Sequence, residues 1–125
     1  MKALFVKYDE IPPVEVRKGI HAKPFVVDKV AATIVKWDQG AEFGPESHAD
    51  EQIDFFLKGK MEWTVRDSSG ERKEIVTAGM AMGLEPHVIH SGKALEESQA
   101  VEIFCPADRH RELAKKLGLL VGEGK

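Results

Sequence analysis

The sequence predicts a small all-β sandwich or barrel with one short C-terminal α-helix. Three observations carry this. Short runs rich in β-branched and aromatic residues recur along the chain, as strands require. Glycine and proline punctuate them at short intervals. Only the C-terminal stretch places leucines at helical spacing.

The elements follow in order. The N-terminal stretch through Pro12-Pro13 is expected to be extended, ending in a rigid Pro-Pro segment. Val30 to Lys36 reads as a strand, stopped by Asp38-Gln39-Gly40. Gln52 to Leu57 is the next, and the turn residues Lys58-Gly59-Lys60 return the chain as its partner strand, Met61 to Arg66. Asp67-Ser68-Ser69-Gly70 makes a further turn. Arg72 to Val76, Met80 to Leu84 and Ala100 to Cys105 complete the series. Asp108 is placed to cap a helix over about 108–120, with Leu113, Leu117, Leu120 and Ala114 on its apolar face. Arg109, Arg111, Lys115 and Lys116 would lie mostly in water, and the helix would pack on the outside of the barrel.

Composition bounds the function classes. The 125 residues suffice for one domain and are too few for two of ordinary size. Eighteen basic against 21 acidic residues leave a net charge of −3, without the basic stripe of a nucleic-acid binder or a polybasic membrane segment. No apolar run approaches the ~20 residues of a membrane helix, and Met1 to Lys7 turns polar too soon for a signal peptide. The single cysteine, Cys105, excludes an internal disulfide and fits a reducing cytoplasm. It reads as a small buried hydrophobe.

His48 and His90 anchor the chemistry. Residues two apart on a strand share a face, so Glu46 and His48 can point together into a barrel, and Gln52 has matching parity. His90 would join them from a distant strand. Imidazole, carboxylate and amide oxygen are suitable ligands for a divalent first-row metal. Asp50 shares the parity of Glu46 and His48. His48, Asp50 and His90 therefore also spell a two-His, one-carboxylate iron triad, and periodicity cannot separate the two sets.

The text resembles the cupin family. Gly40, five residues, Glu46-x-His48, three residues, Gln52, six residues and Gly59 keep every spacing of that family's first motif. Gly79, Pro86 and His90 follow the second, with Pro86 one place off the usual register. The motifs span about 40–59 and 79–94, within one domain over 1–125. The resemblance implies a double-stranded β-helix, or jelly-roll barrel, with a metal in its mouth. It implies Glu46, His48, Gln52 and His90 as ligands of a divalent transition metal (Mn, Fe, Zn or Ni), a small-molecule substrate and a homodimer. Asp50 falls in the bend before the Gln52 strand in this register, which makes it the weaker ligand.

One departure matters: the family's first metal-binding His is Glu46 here. An anionic ligand cancels half the charge of a divalent ion and weakens it as a Lewis acid. The same change could instead mark a barrel that has lost its metal. Among small cupins the chain looks most like those acting on unsaturated uronates or related sugars by isomerase- or lyase-type chemistry, with Glu46 and Asp54 as candidate acid/base groups. Iron-dependent dioxygenation and non-catalytic ligand binding are the alternatives.

The remaining readings are plainer. Asp54 shares parity with Gln52 and Phe56, so it is either a perturbed inward carboxyl or an edge residue. Phe56, Met61 and Trp63 read as core. His87 reads as a turn residue, and His21, His110 and Glu51 as surface. Arg109 and Arg111 could hold a substrate carboxylate, but a solvated helix start explains them more simply.

Overall fold

The computed structural model describes residues 1–119 and forms two facing antiparallel sheets. The strands are β1 (Val14–Arg17), β2 (Ile20–Val26), β3 (Ala31–Trp37), β4 (Glu42–Glu46), β5 (Glu51–Lys58), β6 (Lys60–Asp67), β7 (Gly70–Thr77), β8 (Ala81–Leu84), β9 (Ile89–Ala94) and β10 (Ser98–Cys105). Helix α1 covers Asp108–Lys116. The larger sheet runs β1-β2-β3-β10-β5-β8 and the smaller β4-β9-β6-β7.

Alternation builds the core. β5 buries Gln52, Asp54 and Phe56, and β6 buries Met61, Trp63 and Val65. β3 contributes Val35 and Trp37 and β10 contributes Ala100. These side chains meet between the sheets, where their apolar surface leaves water. Met61–Arg66 is not the pairing partner of Gln52–Leu57: the β5–β6 turn carries the chain from one sheet to the other, where β6 pairs with β7 and β9. That turn needs Gly59: its φ is +95°, and a Cβ there would lie 2.3 Å from Ser98 Oγ.

Six strands fall where the runs predict, within a few residues at each end. β1, β2, β4 and β9 do not announce themselves. β2 contains Pro24, β4 contains Gly44-Pro45 and β9 contains Gly92, residues that weaken a strand pattern. Pro24 is tolerated because β1 pairs with β2 only as far as Ala22, so no ladder bond is asked of it on that side. The N-terminal stretch is not simply extended. Tyr8–Glu10 makes a 3-10 turn, and the Tyr8 hydroxyl donates to the Lys23 carbonyl and accepts from the Ile34 amide.

The helix also differs from expectation. Ala107 is its N-cap residue, and Asp108, already helical, makes no capping bond. α1 stops at Lys116, and Leu120 lies outside the described residues. Its buried residues are His110 and Ala114, while Leu113 and Leu117 are only half-buried. Ala114 and Ala107 pack with Val26 and Ala31. Small side chains let the helix approach β2 closely, which leucines would prevent. Cys105 is exposed rather than buried, because the inward parity of β10 belongs to Ala100 and Phe104.

Candidate active site

A cavity of about 530 Å³ opens between the sheets. Glu46, His48, Gln52 and His90 all line it, so the four residues singled out by spacing share one chamber. β9 carries His90 directly opposite Glu46 of β4. Gly44 makes that approach possible: a Cβ there would stand 2.5 Å from the His90 carbonyl oxygen. His48 lies just beyond β4, where its carbonyl accepts the His87 amide at 2.8 Å. His87 is a turn residue with φ +70°.

Both imidazoles are oriented by backbone. His48 Nδ1 lies 2.9 Å from the Asp50 carbonyl oxygen, and His90 Nδ1 lies 2.9 Å from that of Val88. A carbonyl only accepts, so each Nδ1 carries a hydrogen, and each Nε2 either offers its lone pair to a cation or takes a second proton. Their ring centroids are 5.0 Å apart, and Trp63 stacks on His90. His90 Nε2 lies 3.5 Å from Glu46 Oε1. A nitrogen lone pair facing a carboxylate oxygen calls for a proton or a cation between them. The His90 bond chiefly, with Arg17, holds the Glu46 carboxyl down to about 2 against its partial burial.

This donor set fits a divalent ion. Nδ1-anchored histidines are the usual orientation of metal-binding imidazoles. Two ligands of a tetrahedral ion with bonds of ~2.1 Å stand roughly 3.4 Å apart, close to the Glu46–His90 separation. Among the described residues no three or more His, Cys, Asp or Glu side chains are grouped so that they could hold a metal ion by themselves. The amide of Gln52 would therefore have to complete the set. Its nitrogen donates to Asp54 Oδ1 at 2.9 Å and reaches Glu102 Oε2 at 3.3 Å. That commits the nitrogen to the two carboxyls and leaves the amide oxygen for another partner.

Behind Gln52 sits a carboxyl pair. Asp54 is fully buried, which resolves the choice between inward and edge in favour of inward. It lies opposite Glu102 in the ladder, and Glu102 in turn lies opposite Thr33. Burial lifts the Asp54 pKa to about 6, opposed by bonds to Glu102 and Gln52. Glu102 is raised well above the usual carboxylate range, by burial first and then by the neighbouring Asp54 charge. Two adjacent carboxyls in a dry site favour holding a proton over carrying two charges. Glu102 lines the cavity, so the pair reaches the chamber through it.

Asp50 is turned elsewhere. Arg109 clamps it through Nε at 3.2 Å and Nη2 at 2.9 Å. Burial pushes the Asp50 pKa up, but Arg109 outweighs it and the net shift is down. Two surface readings are overturned at this point. Arg109 is not a solvated helix start, because it bonds Asp50 and lines the cavity. His110 is buried, stacked on Phe104 at 3.7 Å between centroids. Burial, then the Arg109 charge, pushes its pKa down to about 4. Arg111, by contrast, donates to the Val27 carbonyl and lies away from the chamber.

Sequence reasoning missed Glu102, Arg109, Thr33 and Arg17 as cavity residues. A signal existed for Glu102, which shares strand parity with Ala100 and Phe104 and so places a carboxyl on an apolar face. None existed for Arg17, and for Arg109 only its charge suggested a carboxylate partner; both positions depend on non-local packing.

The chain matches the family model of the cupin domain over residues 33–105. It is similar to the structure of KdgF from Halomonas sp., with 27% identity over 86% of this chain and 98% of that one and a TM-score of 0.75. An RmlC-like cupin from Shewanella frigidimarina matches at 20% identity, over 87% of this chain and 96% of that one, with a TM-score of 0.77. The formate complex of oxalate decarboxylase from Lactobacillus farciminis matches at 17% identity, over 86% of this chain and 34% of that one, with a TM-score of 0.75. These last two likenesses are of fold alone. Comparison with curated proteins gives no match.

Proposed function

The chain belongs to the cupin domain family, and from that premise we propose a metal-dependent enzyme acting on a small oxygenated acid or sugar. The substrate class is an unsaturated uronate, and the reaction is an isomerase- or lyase-type proton transfer. The observation that carries this reading is the Glu102–Asp54 carboxyl pair set into the wall of a chamber that also holds two oriented imidazoles.

The chamber suits such a substrate. About 530 Å³ lies within the range of small-molecule sites. Thr33 Oγ1 and Trp63 Nε1 are buried in residues that line it and have no hydrogen-bond partner. Unpaired buried polar atoms are costly, and ligand hydroxyls would satisfy both. Arg109 and Arg17 line the same chamber and offer positive charge to a carboxylate.

His48 and His90 through Nε2, with Glu46 and the Gln52 oxygen, would hold the ion, whether Mn, Fe, Zn or Ni. When bound, it supplies a Lewis acid that polarises substrate oxygens. The rest is done by the chain. Gln52 fixes the carboxyl pair through its amide nitrogen. Glu102, whose protonated form is favoured by burial and by the Asp54 charge, would deliver a proton to the substrate carbon. In an isomerisation a substrate hydroxyl returns one proton to Glu102, so no co-reactant is consumed. Asp54, buried beside Glu102, keeps the negative charge left behind from persisting, which favours reprotonation.

Metal-loaded protein is expected to bleach the ultraviolet absorbance of a 4,5-unsaturated uronate. Glu102→Gln should lower that rate by about 10²-fold or more. No turnover by metal-loaded wild type would end this reading. The single cysteine supports a reducing cytoplasm, and a homodimer is supported by Ile53, Phe55 and Leu57, which expose apolar surface on the outer face of β5. A 13.9 kDa species in sedimentation would refute the dimer.

A further inference from the structure

Arg17 ends β1, and strand alternation alone would turn it away from the barrel. Its neighbour Val16 packs against the core and lines the cavity. Adjacent residues of a regular strand cannot face the same side, yet Arg17 lines the cavity too. The pairing of β1 with β2 slips between Glu15 and Arg17, and such a slip re-aims a side chain. The opposite sheet has its own slip, between Phe43 and Glu46 of β4. Two irregular strand ends, one from each sheet, therefore bring Arg17 Nη2 to within 2.7 Å of Glu46 Oε2.

The two oxygens of Glu46 are thus divided. Oε2 accepts from Arg17, and Oε1 faces His90 Nε2 at 3.5 Å. A carboxylate can hold an ion through both oxygens or through one. Here the guanidinium occupies one of them. Charge matters as much as shape. The candidate donors Glu46, His48, Gln52 and His90 together carry one negative charge when both imidazoles are neutral. Arg17 cancels it. The pair Glu46–Arg17 is then electrically equivalent to one neutral ligand.

We propose that Arg17 sets the ion affinity and coordination of this site, by cancelling the charge of Glu46 and leaving only the oxygen beside His90 to a cation. This rests on the metal-binding reading of the same residues. Arg17 is a positioning residue in this role, since it acts through Glu46. The pair is half-exposed, with side-chain exposures of 54% and 33%. Such a pair contributes little to folding. Its effect is therefore expected in ion binding and not in stability.

The test is calorimetric titration of Zn²⁺ and of Mn²⁺ into the metal-stripped full chain. Arg17→Met should bind the ion about ten-fold more tightly than wild type, because a positive charge near the ion is gone. Arg17→Lys, which keeps the charge, should stay within about three-fold of wild type. Glu46→Gln should weaken binding, and on that background Arg17→Met should change nothing. Thermal unfolding of each variant should match wild type. If wild type binds one equivalent and Arg17→Met binds no more tightly, the role of Arg17 is overturned while the metal site stands. Tightening that persists in the Glu46→Gln background also overturns it, since the effect would then be diffuse surface charge. If Arg17→Met binds an ion that wild type does not, the proposal holds and the wild-type metal reading fails. Failure of both proteins to bind removes the metal reading and this proposal together.

Discussion

Strand β5 buries three side chains on one face, and its two ends have opposite chemistry. Phe56 is 3% exposed and sits among apolar neighbours, in edge contact with Trp63. Gln52 and Asp54 are buried as deeply, and they form a polar network with Glu102. Depth of burial does not distinguish core from site. The distinction lies in what burial leaves unmatched. At the Phe56 end no ionisable group is stranded; the unpartnered atom there, Trp63 Nε1, is a neutral donor. At the other end Asp54 Oδ2 has no partner and the Asp54 pKa is displaced upward. The first end stabilises the barrel, and the second holds the barrel's reactive groups at a cost in stability.

The sharpest way to break that comparison is to substitute both ends. Phe56→Ala should destabilise the fold by about 3–5 kcal/mol, read by chemical denaturation. Asp54→Asn should leave the fold intact and abolish most of the activity proposed above. It should also change the pH profile of stability. The folded chain holds the Asp54 proton up to about pH 6, whereas an unfolded aspartate loses it near 3.9. Between those values the folded state binds more protons, so this group costs stability as pH rises through the window. Asp54→Asn should therefore gain stability relative to wild type at pH 8 and not at pH 3.5. A variant less stable than wild type at both pH values would mean that Asp54 is an ordinary structural carboxylate.

A smaller effect sharpens the contrast from the helix side. Folded His110 resists protonation until about pH 4, whereas an unfolded histidine takes its proton near 6.5. In that interval the unfolded state binds more protons. The contribution of His110 is whole above pH 6.5 and is lost as pH falls toward 4. His110→Phe keeps a ring against Phe104, and the difference between the wild-type and variant unfolding curves should carry this slope. A flat difference would place His110 in contact with water.

Legibility along the chain followed the range of the contacts. The β6–β7 hairpin was readable because its register follows from the Asp67-Ser68-Ser69-Gly70 turn between its strands. Glu46, His48, Gln52 and His90 were readable by their spacing, and the barrel does bring them to one chamber. Asp54 was half-readable: parity suggested the inward face, and only the pairing with β10 decided it. Glu102 shares strand parity with Phe104, but a single carboxyl on an apolar strand face carries no spacing motif that marks it as part of a site. His110 and Arg109 were misread because an exposed-looking helix start became a wall once α1 packed on β2 and Phe104.

The sequence by itself determined the alternation that makes two sheets, the turns that join many of their strands, and the residue types available to a site. These are local properties, carried by side-chain period and backbone preference. The tertiary structure alone decided which carboxyls became neighbours, which oxygen of Glu46 faces His90, and that Arg17 reaches across to the other. Those outcomes depend on strand order and on two slips in register, and neither is encoded within the short range over which a sequence pattern can be read.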